Sequence, residues 1–166
     1  MTSEPKKPST RRAKPPVGEL LMKLWPKVLA RKARLTIPHL RRMCASSSAK
    51  RRLTALLAMR RQIGRGRRST EYMRLARRMI DDSDNDCRWQ ALIVTGEFIE
   101  THPDDIWQVV EQYGQHEDED MRAGVATVLL EDLLEHHRRR FGRRSNRLAS
   151  VSPRFAETLN MCWRFD

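Results

Sequence analysis

The sequence predicts an all-α protein made of repeated helical hairpins, and three observations carry that expectation. Apolar residues recur at three- and four-residue spacing along most of the chain, and no clean two-residue alternation runs between turn signals. Glycine (7) and proline (8) are scarce in the 166 residues, which argues against a turn-rich β-sandwich. Finally, two successive helical patterns recur when the sequence is slid along itself by 34 residues.

Taken in order, residues 1–16, MTSEPKKPSTRRAKPP, hold four prolines and five basic residues with almost nothing apolar. Such a segment buries too little to offset its chain entropy, so a disordered basic arm is expected. From Gly18 an apolar face appears in Leu20, Leu21, Leu24, Trp25, Val28 and Leu29, with Pro26 placed to kink or break the helix. A short helix follows from Pro38, suited to a first turn, to about Ala45. Residues 17–48 therefore read as a helical N-terminal cap, closed by the capping oxygens of Ser46, Ser47 and Ser48.

The repeat domain is expected over 49–166. Leu53, Leu56, Leu57 and Ile63 mark a helix from Ala49 to Ile63, stopped by Gly64 and Gly66. Ser69 or Thr70 caps the next helix, which runs to Ile80 with Glu71 in its first turn, where the helix dipole favours an anion. Asp81 to Asp86 form an acidic loop and cap ahead of a helix from about Asp86 to Thr101. Pro103 opens another through Tyr113, with Gly114 as its stop. Glu117 to Asp120 open a long helix that reaches His137 or beyond. Residues 142–152, rich in Arg and Ser, read as a loop, and Pro153 starts a last helix through Trp163.

The repeat supplies the architecture. A shift of 34 residues lays Asp86-Cys87-Arg88 on Asp120-Met121-Arg122, Ala91 on Val125, Val94 on Val128 and Glu97 on Glu131. It also lays Tyr72 on Ile106, Met73 on Trp107, Leu75 on Val109 and Met79 on Tyr113. Two antiparallel helices per period, each needing neighbours to cover its apolar face, are the signature of a short α-solenoid. The stretch DSDNDCRWQALIVTGEFIETHPDDIWQVVEQYGQHEDEDMRAGVATVLLEDLL resembles HEAT repeats, which carry acids ahead of the second helix and then an apolar residue and Arg. It also resembles small bacterial HEAT-repeat proteins. The resemblance implies a right-handed stack of about three units in which Asp86, Arg88, Asp120 and Arg122 form a ladder between units. It implies a fold rather than an activity.

Charge is distributed in blocks. Residues 1–80 carry 23 Lys and Arg against 3 acids, residues 81–137 carry 2 Arg against 16 acids, and residues 138–166 carry 8 Arg against 2 acids. The net +12 and pI near 10.6 exclude an acidic, solvating protein and point to a polyanion partner. The acidic block repels phosphate, so nucleic-acid contact is expected from the first half, with the basic tail (including Arg138-Arg139-Arg140) as a further source; the first-half candidates are Arg11, Arg12, Arg51, Arg52, Arg60, Arg61, Arg65, Arg67, Arg68, Arg74, Arg77 and Arg78. These arginines suit sequence-independent phosphate contacts. The alternative is a protein-interaction scaffold in which the acidic helices 86–137, with Glu117, Asp118 and Glu119 foremost, bind a basic partner or a second copy. A third reading is a reduced relative of the HEAT-like alkylpurine DNA glycosylases, with Trp107 beside Asp104 or Asp105.

No GxSxG, Walker loop, HExxH or Cys-His arrangement is present, so a non-enzymatic protein with no cofactor is expected. Asp82-x-Asp84-x-Asp86 has the opening spacing of a calcium loop. Cys87 stands where that loop needs glycine, however, and Ile93 where it needs a bidentate acid. His136 and His137 are adjacent on a helix, point about 100° apart and lack neighbouring ligands, so no metal site is expected. Cys44, Cys87 and Cys162 are widely spaced in apolar patterns and read as buried, reduced thiols. With no apolar run long enough to cross a bilayer and no signal-peptide core, a cytoplasmic protein without membrane contact is expected.

Overall fold

A computed structural model describes residues 35–67 and 69–162. The expected arm over 1–16, the helix expected around Leu20 to Leu29, Arg11, Arg12, Arg68 and Trp163 lie outside the described residues. Among the described residues the protein is all-α, with no strand.

Helix α1 (Ile37–Cys44) carries Pro38 in its first turn. Helix α2 (Ala49–Ile63) follows Ser48, and α3 (Thr70–Arg77) is capped by Ser69, whose hydroxyl accepts from the Glu71 N–H at 3.4 Å. Helix α4 (Asn85–Gly96) starts at Asp84, which accepts from the Cys87 N–H at 3.0 Å. Helix α5 (Pro103–Tyr113) again begins with proline. Helix α6 (Glu119–Val125), capped by Asp118, passes through a π-helical turn (Ala126–Leu130) into α7 (Glu131–Val151). Ser152 caps α8 (Pro153–Met161) by accepting from the Phe155 N–H at 3.3 Å. The side-chain oxygens of Ser69, Asp84, Asp118 and Ser152 take up N–H groups that lack intrahelical partners.

Two expectations are corrected. Residues 142–152 are not a loop: α7 continues to Val151. Phe141 and Ser145 are buried and Leu148 is half-buried, which gives a core-facing row at helical spacing beneath a surface of arginines. The serine that looked like loop chemistry donates back to the Phe141 carbonyl at 3.0 Å. The helix expected from Asp86 to Thr101 stops earlier, at Gly96, and its last residues form turns.

Consecutive helices pack as pairs, α1 on α2, α3 on α4 and α7 on α8. Second members also touch across pairs: α2 meets α4, α4 meets α6 and the π turn, and α6 meets α8. First members meet as α1 with α3 and α5 with α7. The buried apolar side chains form one cluster that includes Leu40, Leu56, Ile80, Phe98, Ile106, Leu129, Phe141 and Phe155. Each such side chain contributes roughly 1.5–3 kcal/mol by leaving water.

Gly114 shows how closely the pairs approach. A Cβ there would meet the Val110 carbonyl oxygen at 2.5 Å and the Phe155 ring at 2.8 Å. The Gly114 carbonyl also accepts from the Thr158 hydroxyl at 2.6 Å, which fixes α8 against the end of α5. Within α7 the backbone departs from helical geometry at His137 (φ −135°, ψ 32°), where the acidic first part of the helix gives way to Arg138-Arg139-Arg140.

Candidate nucleic-acid interface

Which arginines are available to an external anion depends on which ones the fold already uses. One set is structural and repeats. Arg52, Arg88 and Arg122 each stand four residues after a helix cap, Ser48, Asp84 and Asp118. Each reaches an acid of the following pair of helices. Arg52 grips both oxygens of Asp82 at 2.6 Å, Arg88 meets Asp118 at 3.3 Å, and Arg122 meets Glu157 at 3.0 Å. Arg52 also donates to the carbonyls of Ser46 and Ser47, as Arg122 does to those of His116 and Glu117.

The loops ahead of the caps repeat as well. Ser46 Oγ, Asp82 Oδ1 and His116 Nδ1 accept from the N–H of Ser48, Asp84 and Asp118 at 3.2, 2.9 and 3.0 Å. Burial works against the Asp82 carboxylate, but the Arg52 hydrogen bonds and the Asp84 N–H outweigh it and hold its carboxyl below the ordinary range. The same contact raises the Arg52 guanidinium.

This placement bears on the residues singled out from sequence. Arg52, grouped there with phosphate contacts, is only 13% exposed and tied to Asp82. Arg88 and Arg122 do bridge to later acids, but those acids are Asp118 and Glu157. Asp120 instead accepts from Trp89 Nε1 at 2.9 Å, and Asp86 is exposed in the first turn of α4. Asp82 and Glu157 were not foreseen as ladder members. The shared cap-plus-four position of Arg52, Arg88 and Arg122 is the signal that could have found the first.

A second set is paired at the surface. Arg60 lies 3.5 Å from Glu97, Arg74 lies 3.6 Å from Glu71, and Arg77 lies 3.6 Å from Asp105 while also donating to Gln108. Arg41 shares Glu71, and its hydrogen bond holds that carboxyl below the ordinary range. Exposed pairs of this kind are worth at most about 1 kcal/mol each, so a phosphate can exchange into them. Arg61 is half-buried in α2.

The third set faces solvent. Arg51, Arg65, Arg67 and Arg78 are exposed, and their side chains have no acidic partner among the described residues; Arg42 and Lys50 share this state. Arg51 opens α2, Arg65 and Arg67 sit in the turn that closes it, and Arg78 ends α3. Arg51 and Arg65 are roughly 20 Å apart along α2 at helical rise.

On the acidic side, Glu117 and Glu119 are exposed at the start of α6, whereas Asp118 is both its cap and the partner of Arg88. Trp107 is buried, stacked on Phe141 at 5.5 Å and edge-on to Phe155 at 6.3 Å. Trp89 is half-buried. Burial pushes the Cys44 thiol up to about 11 and those of Cys87 and Cys162 up to about 12. Among the described residues no group of three or more His, Cys, Asp or Glu is placed to hold a metal ion, and no helix is long and apolar enough to cross a membrane.

Fold and surface together define an all-α protein of packed helix pairs, internally tied by arginine and carrying exposed arginine in excess. Comparison with protein-family models, with curated proteins and with solved structures returned no match.

Proposed function

We propose that this chain is a non-enzymatic binding protein, a short HEAT-like α-solenoid that contacts nucleic-acid phosphates without reading base sequence. The solenoid reading is supported by the recurrence of one device, cap, loop acceptor and bridging arginine, at Arg52, Arg88 and Arg122. The binding reading rests on a single observation: the structural arginines are each bridged to an internal acid, yet Arg51, Arg65, Arg67 and Arg78 remain exposed without acidic partners among the described residues. Guanidinium groups in that state bind phosphate oxygens bidentately and release counterions from the nucleic acid. Arg11, Arg12 and Arg68 extend the same basic half.

The test is binding of the purified chain to labelled duplexes of two unrelated sequences. Equal affinities that weaken steeply with salt support the proposal, and binding that is absent at low salt overturns it. A protein scaffold is the second reading, and the exposed Glu117 and Glu119 favour it. It requires partner capture that survives nuclease and is lost in Glu117→Gln/Glu119→Gln. The glycosylase-like reading gains nothing from Trp107, whose ring faces are packed among Phe141 and Phe155.

A further inference from the structure

Helix α7 carries a second row of arginine that the basic N-terminal half does not explain. From Arg138 to Val151 it holds six arginines and no acid. Its arginines divide into two sets by partner. Arg140 and Arg144 both pair with Asp104 of α5, and both guanidinium groups lie over the Phe141 ring at 5.3 and 5.4 Å. Arg139, Arg143 and Arg147 form the other set, a row at four-residue spacing, all exposed, with no acidic partner among the described residues. Arg138 and Arg154 are exposed in the same state.

Like charges four residues apart oppose helix formation, so the unpaired row works against the helix that carries it. An ordinary solvated face would mix in acids at these spacings, or find one on a neighbouring helix, as Arg140 and Arg144 do in Asp104. The exposed row also lacks the apolar and aromatic anchors of a protein interface: Val151, beyond its end, is the exposed large apolar side chain of the described surface. A row of three guanidinium groups spans about 12 Å, the length of about three phosphates along one strand of a duplex.

We infer that Arg139, Arg143 and Arg147 of α7 form a phosphate-binding row of their own, separate from the arginines of α2 and α3. The inference rests on reading the chain as a nucleic-acid binder, but not on which N-terminal arginines take part.

Two variants of the full chain test it, Arg139→Gln/Arg143→Gln/Arg147→Gln and, as control, Arg140→Gln/Arg144→Gln. Each is titrated with a labelled random-sequence duplex across salt, with the melting temperature followed by circular dichroism. The triple variant is expected to lower the log–log salt slope by about 2 to 3. Its melting temperature stays level or rises, because the like-charge row is gone. The control keeps the slope within about one unit. An unchanged slope in the triple variant, or an equal loss in both, overturns the row as a site. A variant carrying Arg51→Glu, Arg65→Glu, Arg67→Glu and Arg78→Glu separates the two claims. If it keeps the wild-type slope while the triple variant loses it, the N-terminal surface fails and the α7 row stands. Wild-type protein that does not bind at low salt overturns both.

Discussion

Arg52 closes both oxygens of Asp82 from thirty residues away, at 2.6 Å each, with Asp82 only 5% exposed. The contact joins the start of α2 to the loop that caps α4 and is the most enclosed rung of the series that continues through Arg88 and Arg122. Arg52→Ala is expected to be clearly more destabilising than Arg88→Ala, because it leaves an enclosed carboxylate and two loop carbonyls without their donor. Arg88→Ala, whose bridge to Asp118 is more open, is expected to cost no more than about 1 kcal/mol. Urea denaturation of the two variants measures the difference, and equal losses would contradict the graded ladder.

The same bridge has a pH signature. The Asp82 carboxyl lies lower in the folded chain than in the unfolded one. Its stabilisation is therefore fully present above the ordinary carboxylate pKa and is lost as pH falls through the folded value. Asp82→Asn removes that dependence. The stability gap between wild type and Asp82→Asn is expected to be constant from neutral pH to about pH 5 and to shrink below about pH 4. A gap that widens on acidification contradicts it.

Gly114 has no room for a side chain. Gly114→Ala drives a methyl against the Val110 carbonyl and the Phe155 ring, and overpacking of this kind costs about 1–3 kcal/mol. Combining it with Phe155→Leu, which withdraws the ring, is expected to recover part of that loss beyond simple additivity. A double-mutant cycle in thermal melts reads the coupling.

The three cysteines are free, with Cys87 and Cys162 buried and Cys44 half-buried. With thiol pKa values raised to about 11 and 12, thiolate is scarce at pH 8, and aromatic disulfide reagents are expected to label the native chain far more slowly than free cysteine. Cys44 reacts first, and guanidinium releases three equivalents at once. Rapid native labelling of Cys87 would contradict the packing of α4 on α2.

The helices were legible because their apolar faces repeat at helical spacing and their starts carry Ser48, Ser69, Asp84 and Asp118. Pro38, Pro103 and Pro153 marked first turns correctly for the reason that each lacks an N–H that would go unpaired there. The C-terminal part of α7 was hidden by its composition. Its core contacts come from Phe141, Ser145, Leu148 and Ala149, and six arginines obscure that narrow row.

The site was only partly visible. Arg52 stands beside Arg51 in sequence, so both read as surface charge, yet one faces solvent and the other enters the loop before α4. Only position relative to the Ser48 cap separates them. The ladder acids were displaced for a related reason. Asp86 lies in the first turn of α4, where it complements the helix dipole, whereas Asp82 sits in the turn that Arg52 reaches.

The most direct measurement is the salt dependence of duplex binding for wild type against Arg51→Glu/Arg65→Glu/Arg67→Glu/Arg78→Glu. Four lost phosphate contacts predict a log–log slope shallower by about 3 to 4, with an unchanged fold by circular dichroism. A wild-type slope near zero, or a quadruple variant that binds as wild type does, would contradict the claim that these exposed arginines hold a nucleic-acid backbone.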